Sequence, residues 1–389
     1  MLSIFIFELV ALAAAADVSV VPNTVSLGSR KVPRAQIPGW RRRNLRAVNV
    51  PLDDFFLQTD LQWFGNISVG TPPQTIPVVF DTGSPFLEFV STQCGAPCAS
   101  QIAFNISASS TFVDGGEEQT LDFATGGGVD PVVDNNYVLT IRSAKDTVSV
   151  GGLDAGVIDL FTVVNQTAAF DIDPYSGIQG MSSDAQGFFA ALINKGLPAL
   201  FSMYITPKAI GNAELTIGGI DYSKFHGDLI YSSLPSGSEG AWQLPSPQVS
   251  INGKTTKELN TSRTIIFDSG TSNILFSTNT TEAIYAMISS DIKPFAAEPG
   301  AYGMPCSKIS GLPAKIDITF TSQRGRPFNL TIPSGELNVG PFKSDPSTCQ
   351  TLINAFDGLD LVGGSLFKHY YSVWDIGNQR MGFAPNGES

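Results

Sequence analysis

One heptapeptide occurs twice in this chain. Val78-Val79-Phe80-Asp81-Thr82-Gly83-Ser84 returns 187 positions later as Ile265-Ile266-Phe267-Asp268-Ser269-Gly270-Thr271. Each copy is trailed by a short apolar stretch ending in glycine: Gly180 closes Ile178-Gln179-Gly180, 99 residues after Asp81, and Gly363 closes Leu361-Val362-Gly363, 95 residues after Asp268. Such self-similarity means two halves built on one plan. A Ser/Pro/Gly-rich stretch, Leu234 to Gly240, is the expected boundary, giving lobes over 48–235 and 236–389. With 389 residues and 42% hydrophobic side chains, the chain is long enough to give each half its own core.

From Trp63 onward, short runs of Val, Ile, Phe and Thr alternate with Gly and Pro, as in Asn66-Ile67-Ser68-Val69-Gly70-Thr71 and Thr75 to Phe80. Strands spaced by turn signals indicate an all-β chain with a few short helices. One helix is expected over Asp184 to Lys195, with Asp184 as cap, Phe188, Phe189, Leu192 and Ile193 on one stripe, and Gly196 as the stop. Another is expected over Thr281 to Ser289.

An apolar strand ending in Asp-Thr/Ser-Gly-Ser/Thr delivers a carboxylate to a sharp loop in which glycine permits close backbone approach. Two such loops related by a pseudo-twofold axis bring Asp81 and Asp268 face to face. Like charges at that separation do not both ionise cheaply, so the pair shares a proton over a wide acidic range. One member can take a proton from water while the other gives one to a carbonyl, the needs of peptide hydrolysis without a covalent intermediate. The Gly83 and Gly270 amides are placed to bond the inner carboxylate oxygens, and the Ser84 and Thr271 hydroxyls the outer ones. Thr82 and Ser269 are placed to tie the loops together.

The ends and the composition set further bounds. Residues 1–16, apolar and closing in Ala13 to Ala16, read as a signal peptide, with a buried N-terminal helix as the alternative. Residues 17–47 carry Arg41-Arg42-Arg43 and Arg46 without periodicity, and read as a basic pro-segment, with a disordered basic linker as the alternative. Residues 1–46 hold seven of the 23 Lys/Arg and two of the 35 Asp/Glu, which leaves the remainder at −17. A body this acidic repels nucleic acid and anionic lipid. No second apolar stretch approaches membrane length, so no membrane anchor is expected.

Four cysteines, Cys94, Cys98, Cys306 and Cys349, allow three pairings, of which the spacing favours a small local ring plus one long loop. The two histidines, His226 and His369, give neither a zinc site nor a nucleophile's base, so no metal, no cofactor and no serine or cysteine hydrolase is expected. Sequons at Asn66, Asn105, Asn165, Asn260, Asn279 and Asn329 are candidate glycosylation sites on a secretory route.

The two Asp loops, Trp63-Phe64-Gly65, Gly70-Thr71-Pro72-Pro73-Gln74, Phe104 to Phe112, Gly218-Gly219-Ile220-Asp221, Gly363-Gly364-Ser365-Leu366-Phe367 and the closing Tyr371 to Asp375 and Gly382 to Pro385 together resemble the pepsin family of aspartic peptidases. The resemblance spans about residues 60 to 386. It implies two β lobes around a deep cleft, disulfides Cys94–Cys98 and Cys306–Cys349, a zymogen pro-segment, and cleavage between large hydrophobic residues. A monomeric acid endopeptidase is expected, secreted or delivered to an acidic vacuole, since both routes begin with the same signal. Its expected partners are protein or peptide substrates, its own pro-segment as intramolecular inhibitor, and pepstatin-type inhibitors. A catalytically silent binding protein on the same fold is the alternative.

The chain departs from the family at the flap, the hairpin over the cleft. The tyrosine position holds Phe123, followed by Ala124, Thr125 and Gly126, so the flap hydroxyl is gone. The indole seven residues beyond the first aspartate, its usual partner, is replaced by Glu88. Losing both ends of a hydrogen bond is nearly neutral, so an altered latch is expected, with Phe123 still covering the substrate. Glu88 is expected at the surface, the other reading being a cleft wall that favours basic substrate side chains. Gly126 to Gly128 suggest a mobile tip or a plain turn, and Gln179, polar in a buried element, needs a partner.

Overall fold

In the computed structural model, which describes residues 45–126, 128, 136–238 and 240–386, the two copies of the repeat fold alike. In the first lobe β1 (Gln74–Asp81), β2 (Leu87–Val90) and β3 (Gly177–Gly180) lie side by side. The central β3 runs parallel to β1, with Asp81 opposite Gly180, and antiparallel to β2. In the second lobe β4 (Arg263–Phe267), β5 (Ile274–Phe276) and β6 (Leu361–Val362) repeat the arrangement, β6 being parallel to β4 and antiparallel to β5. All residues from Ile76 to Asp81 and all of β2 are buried. A strand covered on both faces is apolar on both, which is why these segments do not alternate, with Asp81 and Glu88 as the charged exceptions. The trailing glycines follow from the same packing: a Cβ on Gly180 would stand 2.5 Å from the Phe86 amide nitrogen, and one on Gly363 would strike the Thr271 carbonyl.

The first-lobe trio sits inside an eight-stranded sheet that continues through Leu153–Gln166, Val138–Val150 and Val113–Asp122. The long Val138–Val150 strand does alternate between buried and partly exposed residues, since one of its faces meets solvent. Its antiparallel partner Val113–Asp122 leads directly into the flap. The second-lobe trio lies in a five-stranded sheet, and the same half holds a three-stranded and a four-stranded one. A six-stranded antiparallel sheet takes strands from both halves, pairing Leu200–Tyr204 with Tyr370–Asp375 and Ile230–Ser233 with Arg380–Pro385. Behind it Phe201 stacks on Trp374 at 5.8 Å, within a buried apolar cluster that spans both halves. Lys368, almost wholly buried, bridges Asp60 at 3.0 Å and Glu336 at 2.7 Å.

The fold is therefore mainly β and bilobal, as expected. The helices are displaced from their expected bounds. α1 spans Gly187–Asn194, with Phe188, Phe189 and Leu192 buried. Asp184 does not cap it; its carboxylate accepts instead from Ser182 Oγ and Gln186 Nε2, both at 2.6 Å, because Ala185 at φ 50° turns the chain before the helix begins. α2 spans Thr278–Ile288 and starts three residues before the expected Thr281. The disulfides join Cys94 to Cys98 and Cys306 to Cys349, with Cα separations of 5.8 and 4.8 Å. The expected signal peptide, and the expected pro-segment up to residue 44, lie outside the described residues. No helix among the described residues is long and apolar enough to cross a membrane.

Candidate active site

Asp81 and Asp268 end or follow equivalent strands, and the loops after them interlock. The Thr82 amide donates to Ser269 Oγ (3.0 Å) and the Ser269 amide to Thr82 Oγ1 (2.9 Å). The Thr82 hydroxyl then donates to the Phe267 carbonyl (3.0 Å), and the Ser269 hydroxyl to the Phe80 carbonyl (2.7 Å). Four buried, reciprocal hydrogen bonds thus lock the loops in register across the pseudo-twofold axis.

Within each loop the carboxylate is held from two sides. Gly83 N donates to Asp81 Oδ1 at 2.7 Å and Gly270 N to Asp268 Oδ1 at 2.8 Å. Ser84 Oγ donates to Asp81 Oδ2, and Thr271 Oγ1 lies 2.6 Å from Asp268 Oδ2. The two aspartates are 5% and 7% exposed. Burial, then the charge of Asp268 and a hydrogen bond with it, pushes the Asp81 carboxyl well above the ordinary carboxylate range, so the pair holds a proton where isolated aspartates have lost theirs.

Both carboxyls open into a cleft of about 320 Å³, roofed by Phe123, Ala124, Thr125 and Gly126 of the flap. Phe123 packs edge-on against Phe170 at 5.8 Å, so the missing flap hydroxyl is replaced by an aromatic contact. A latch exists nonetheless, one residue pair over: Thr271 Oγ1 lies 2.7 Å from Thr125 Oγ1 and can accept from it while donating to Asp268. Of the glycine run, Gly127 lies outside the described residues.

The structure moves Glu88 away from its expected surface position. β2 is a central strand, hydrogen-bonded to β3 on one side and to Leu153–Gln166 on the other, so Glu88 is 2% exposed and lines the cleft. Gln179 donates to the Gly180 carbonyl at 3.0 Å, and its Oε1 has no partner. Sequence reasoning missed Gln62 and Tyr175: Gln62 Nε2 donates to the Gly270 carbonyl, and the Tyr175 hydroxyl donates to Gln62 Oε1. Both adjoin segments already noted, Gln62 before Trp63-Phe64-Gly65 and Tyr175 before the element ending at Gly180, and that adjacency was the available signal. All six sequon asparagines are exposed. No group of His, Cys, Asp or Glu able to hold a metal occurs among the described residues.

Residues 62–386 match the family model described as eukaryotic aspartyl protease. The chain belongs to that family. Among curated relatives, this aspartyl protease is 30% identical to pepsin A of Rhinolophus ferrumequinum, with 86% of this chain and 83% of that protein covered. It is 32% identical to pepsin II-2/3 of Oryctolagus cuniculus (84% and 81% covered), and 30% identical to cathepsin D of Dictyostelium discoideum (94% of each). The aspartyl protease is thus an aspartic-type endopeptidase, a hydrolase.

Two cleft carboxyls make its stability depend on pH. Burial pushes Glu88 up to about 8, and burial, partly offset by the Tyr175 hydroxyl, pushes Asp173 up to about 8. A carboxyl raised on folding contributes stability that is fully present below its unfolded value near 4 and is lost as pH rises toward 8. Each group removes at most about 1.4 kcal/mol per pH unit in that window. Calorimetry at about pH 4 and about pH 7.5 should therefore show the lower melting temperature at the higher pH, with a smaller difference in Glu88→Gln. A melting temperature that does not change between the two would refute the buried, unpaired state of Glu88.

Proposed function

We propose that this chain is an acid endopeptidase in which Asp81 and Asp268 activate a water molecule. The observation that carries the reading is the pair of interlocked loops, which hold two buried carboxyls against the same cleft while Gly83 and Gly270 donate to one oxygen of each and Ser84 and Thr271 to the other. The ionised member takes a proton from water, whose oxygen attacks the scissile carbonyl carbon. The protonated member gives its proton to the carbonyl oxygen, forming a tetrahedral diol. Collapse of the diol returns a proton to the leaving nitrogen, breaks the C–N bond and restores the pair. Phe123 and the Thr125 latch close the cleft over the substrate and exclude water during these steps.

The substrates in this reading are proteins or peptides, with large hydrophobic side chains against the aromatic cleft walls. Residues 1–16 direct the chain into the secretory pathway, and residues 17–47 act as a basic pro-segment that inhibits the enzyme until falling pH discharges the carboxylates of the acidic body. The lobes divide near residue 235. Pepsins among the relatives, and a probable vacuolar protease A from Trichophyton verrucosum at 29% identity, support both secretion and delivery to an acidic vacuole.

The test is hydrolysis of denatured haemoglobin between about pH 2 and pH 7 by acid-processed protein, with and without pepstatin. Acid-optimal cleavage that pepstatin blocks and phenylmethylsulfonyl fluoride does not is the expected result. Folded, processed protein that cleaves nothing would instead identify a silent binding module.

A further inference from the structure

Glu88 takes no part in the chemistry above, yet its surroundings are those of a binding site. Its Oε1 is enclosed and without a hydrogen-bond partner, and no ion pair reaches it among the described residues. Asp173, 5% exposed, lines the same cavity and leaves its Oδ1 without a partner as well. An unpartnered buried polar atom costs about 1–3 kcal/mol, more if charged, so two of them on residues that line one cavity mark a place where something else supplies the partner.

The cavity's composition says what that partner is. Its described lining holds five carboxyls, Asp81, Glu88, Asp122, Asp173 and Asp268, and no lysine, arginine or histidine. Aromatic walls, Phe86, Phe123, Phe170 and Tyr175, line the cavity between flap and floor. The sheet register sets the scale: Asp81 faces Gly180 and Glu88 faces Ile178 on opposite sides of β3, two strands apart and two residues along, or about 12 Å between Cα atoms. A side chain suited to this space has a long apolar stem and a cationic head, which describes lysine and arginine.

We propose that Glu88, with Asp173, forms a specificity site that receives the lysine or arginine side chain of a substrate residue flanking the bond to be cut. The assignment rests on the endopeptidase reading and narrows it, replacing one large hydrophobic residue by one whose stem alone is apolar. The incoming cation supplies the countercharge that burial denies both carboxyls, so the charged pair forms on binding.

Peptides identical except at the residues flanking the scissile bond, carrying lysine, arginine, glutamine or norleucine on either side, test this at about pH 5. At one of the two positions, kcat/KM for the lysine and arginine peptides should exceed that for norleucine roughly 30-fold. Glu88→Gln should bring that ratio close to one, and Asp173→Asn should reduce it. Equal rates for all four residues, a preference for glutamine over lysine, or a lysine preference unchanged in both variants would overturn the proposal. Calorimetric binding of non-cleavable reduced-amide analogues of the same peptides separates the two readings. Lysine-selective binding lost in Glu88→Gln, with no peptide cleaved by wild type, would remove the endopeptidase reading and leave the site. Pepstatin-sensitive cleavage without basic preference would do the reverse.

Discussion

Asp81→Asn and Asp268→Asn are each expected to lower kcat about 10⁴-fold or more against an acid-cleaved peptide, while the binding of a non-cleavable analogue changes little. An amide keeps the volume and can still accept from the Gly83 or Gly270 amide, so the loops retain their geometry. What is lost is the shared proton. An asparagine neither takes a proton from water nor gives one to a carbonyl, and a single carboxyl does not perform both transfers. Replacing one carboxyl also removes the repulsion that adds to burial in lifting Asp81, so the melting temperature near pH 5 should not fall. Rates read from active-site-titrated protein, beside thermal melts, check both halves. A substituted protein that retained more than about a tenth of wild-type kcat would show that the pair is not the catalytic dyad.

Gly270→Ala should also lower turnover, less steeply and for a different reason. A Cβ at Gly270 would lie 2.5 Å from Asp81 Oδ1, and one at Gly83 would lie 2.7 Å from Asp268 Oδ1. Each glycine is thus packed on the carboxyl of the opposite loop. Neither has a positive φ, so alanine brings a collision and no backbone strain. To relieve it the carboxyl must move by several tenths of an ångström to about 1 Å, and a misplacement of that size costs roughly 10²-fold in rate. The Thr82 and Ser269 bonds resist any separation of the loops, so the displacement falls on the carboxyls themselves. We expect folded protein with kcat reduced about 10²-fold, and a smaller loss in Gly83→Ala, where the contact is looser. Wild-type turnover in Gly270→Ala would mean that the loops stand further apart than described.

How far the chain could be read without its structure varies with how local the responsible physics is. The repeat was legible because strand, turn and carboxylate lie within seven consecutive residues, and every hydrogen bond inside each loop joins residues two or three apart. The trailing glycines were legible as a pattern, but their reason was not: each is pressed against the loop after the aspartate, a contact between residues about ninety apart in sequence. The start of α1 slipped because Ala185 adopts a left-handed conformation that nothing in its type announces.

Glu88 shows the limit most plainly. In sequence it is one carboxylate after Pro85-Phe86-Leu87, and a charged residue is ordinarily solvated. Whether a strand is central or at an edge depends on what pairs with it, and the partners of β2 come from Phe161 to Val163 and Gly177 to Gln179, more than seventy residues away. The flap latch is similar, since Thr125 and Thr271 meet across 146 positions. The amino-acid sequence by itself determined the paired carboxylates, the two-fold plan and the acidic body, because these are written in composition and short-range order. Only the tertiary structure decided what the cleft walls are made of, because burial and charge pairing come from contacts between segments that are distant in the chain.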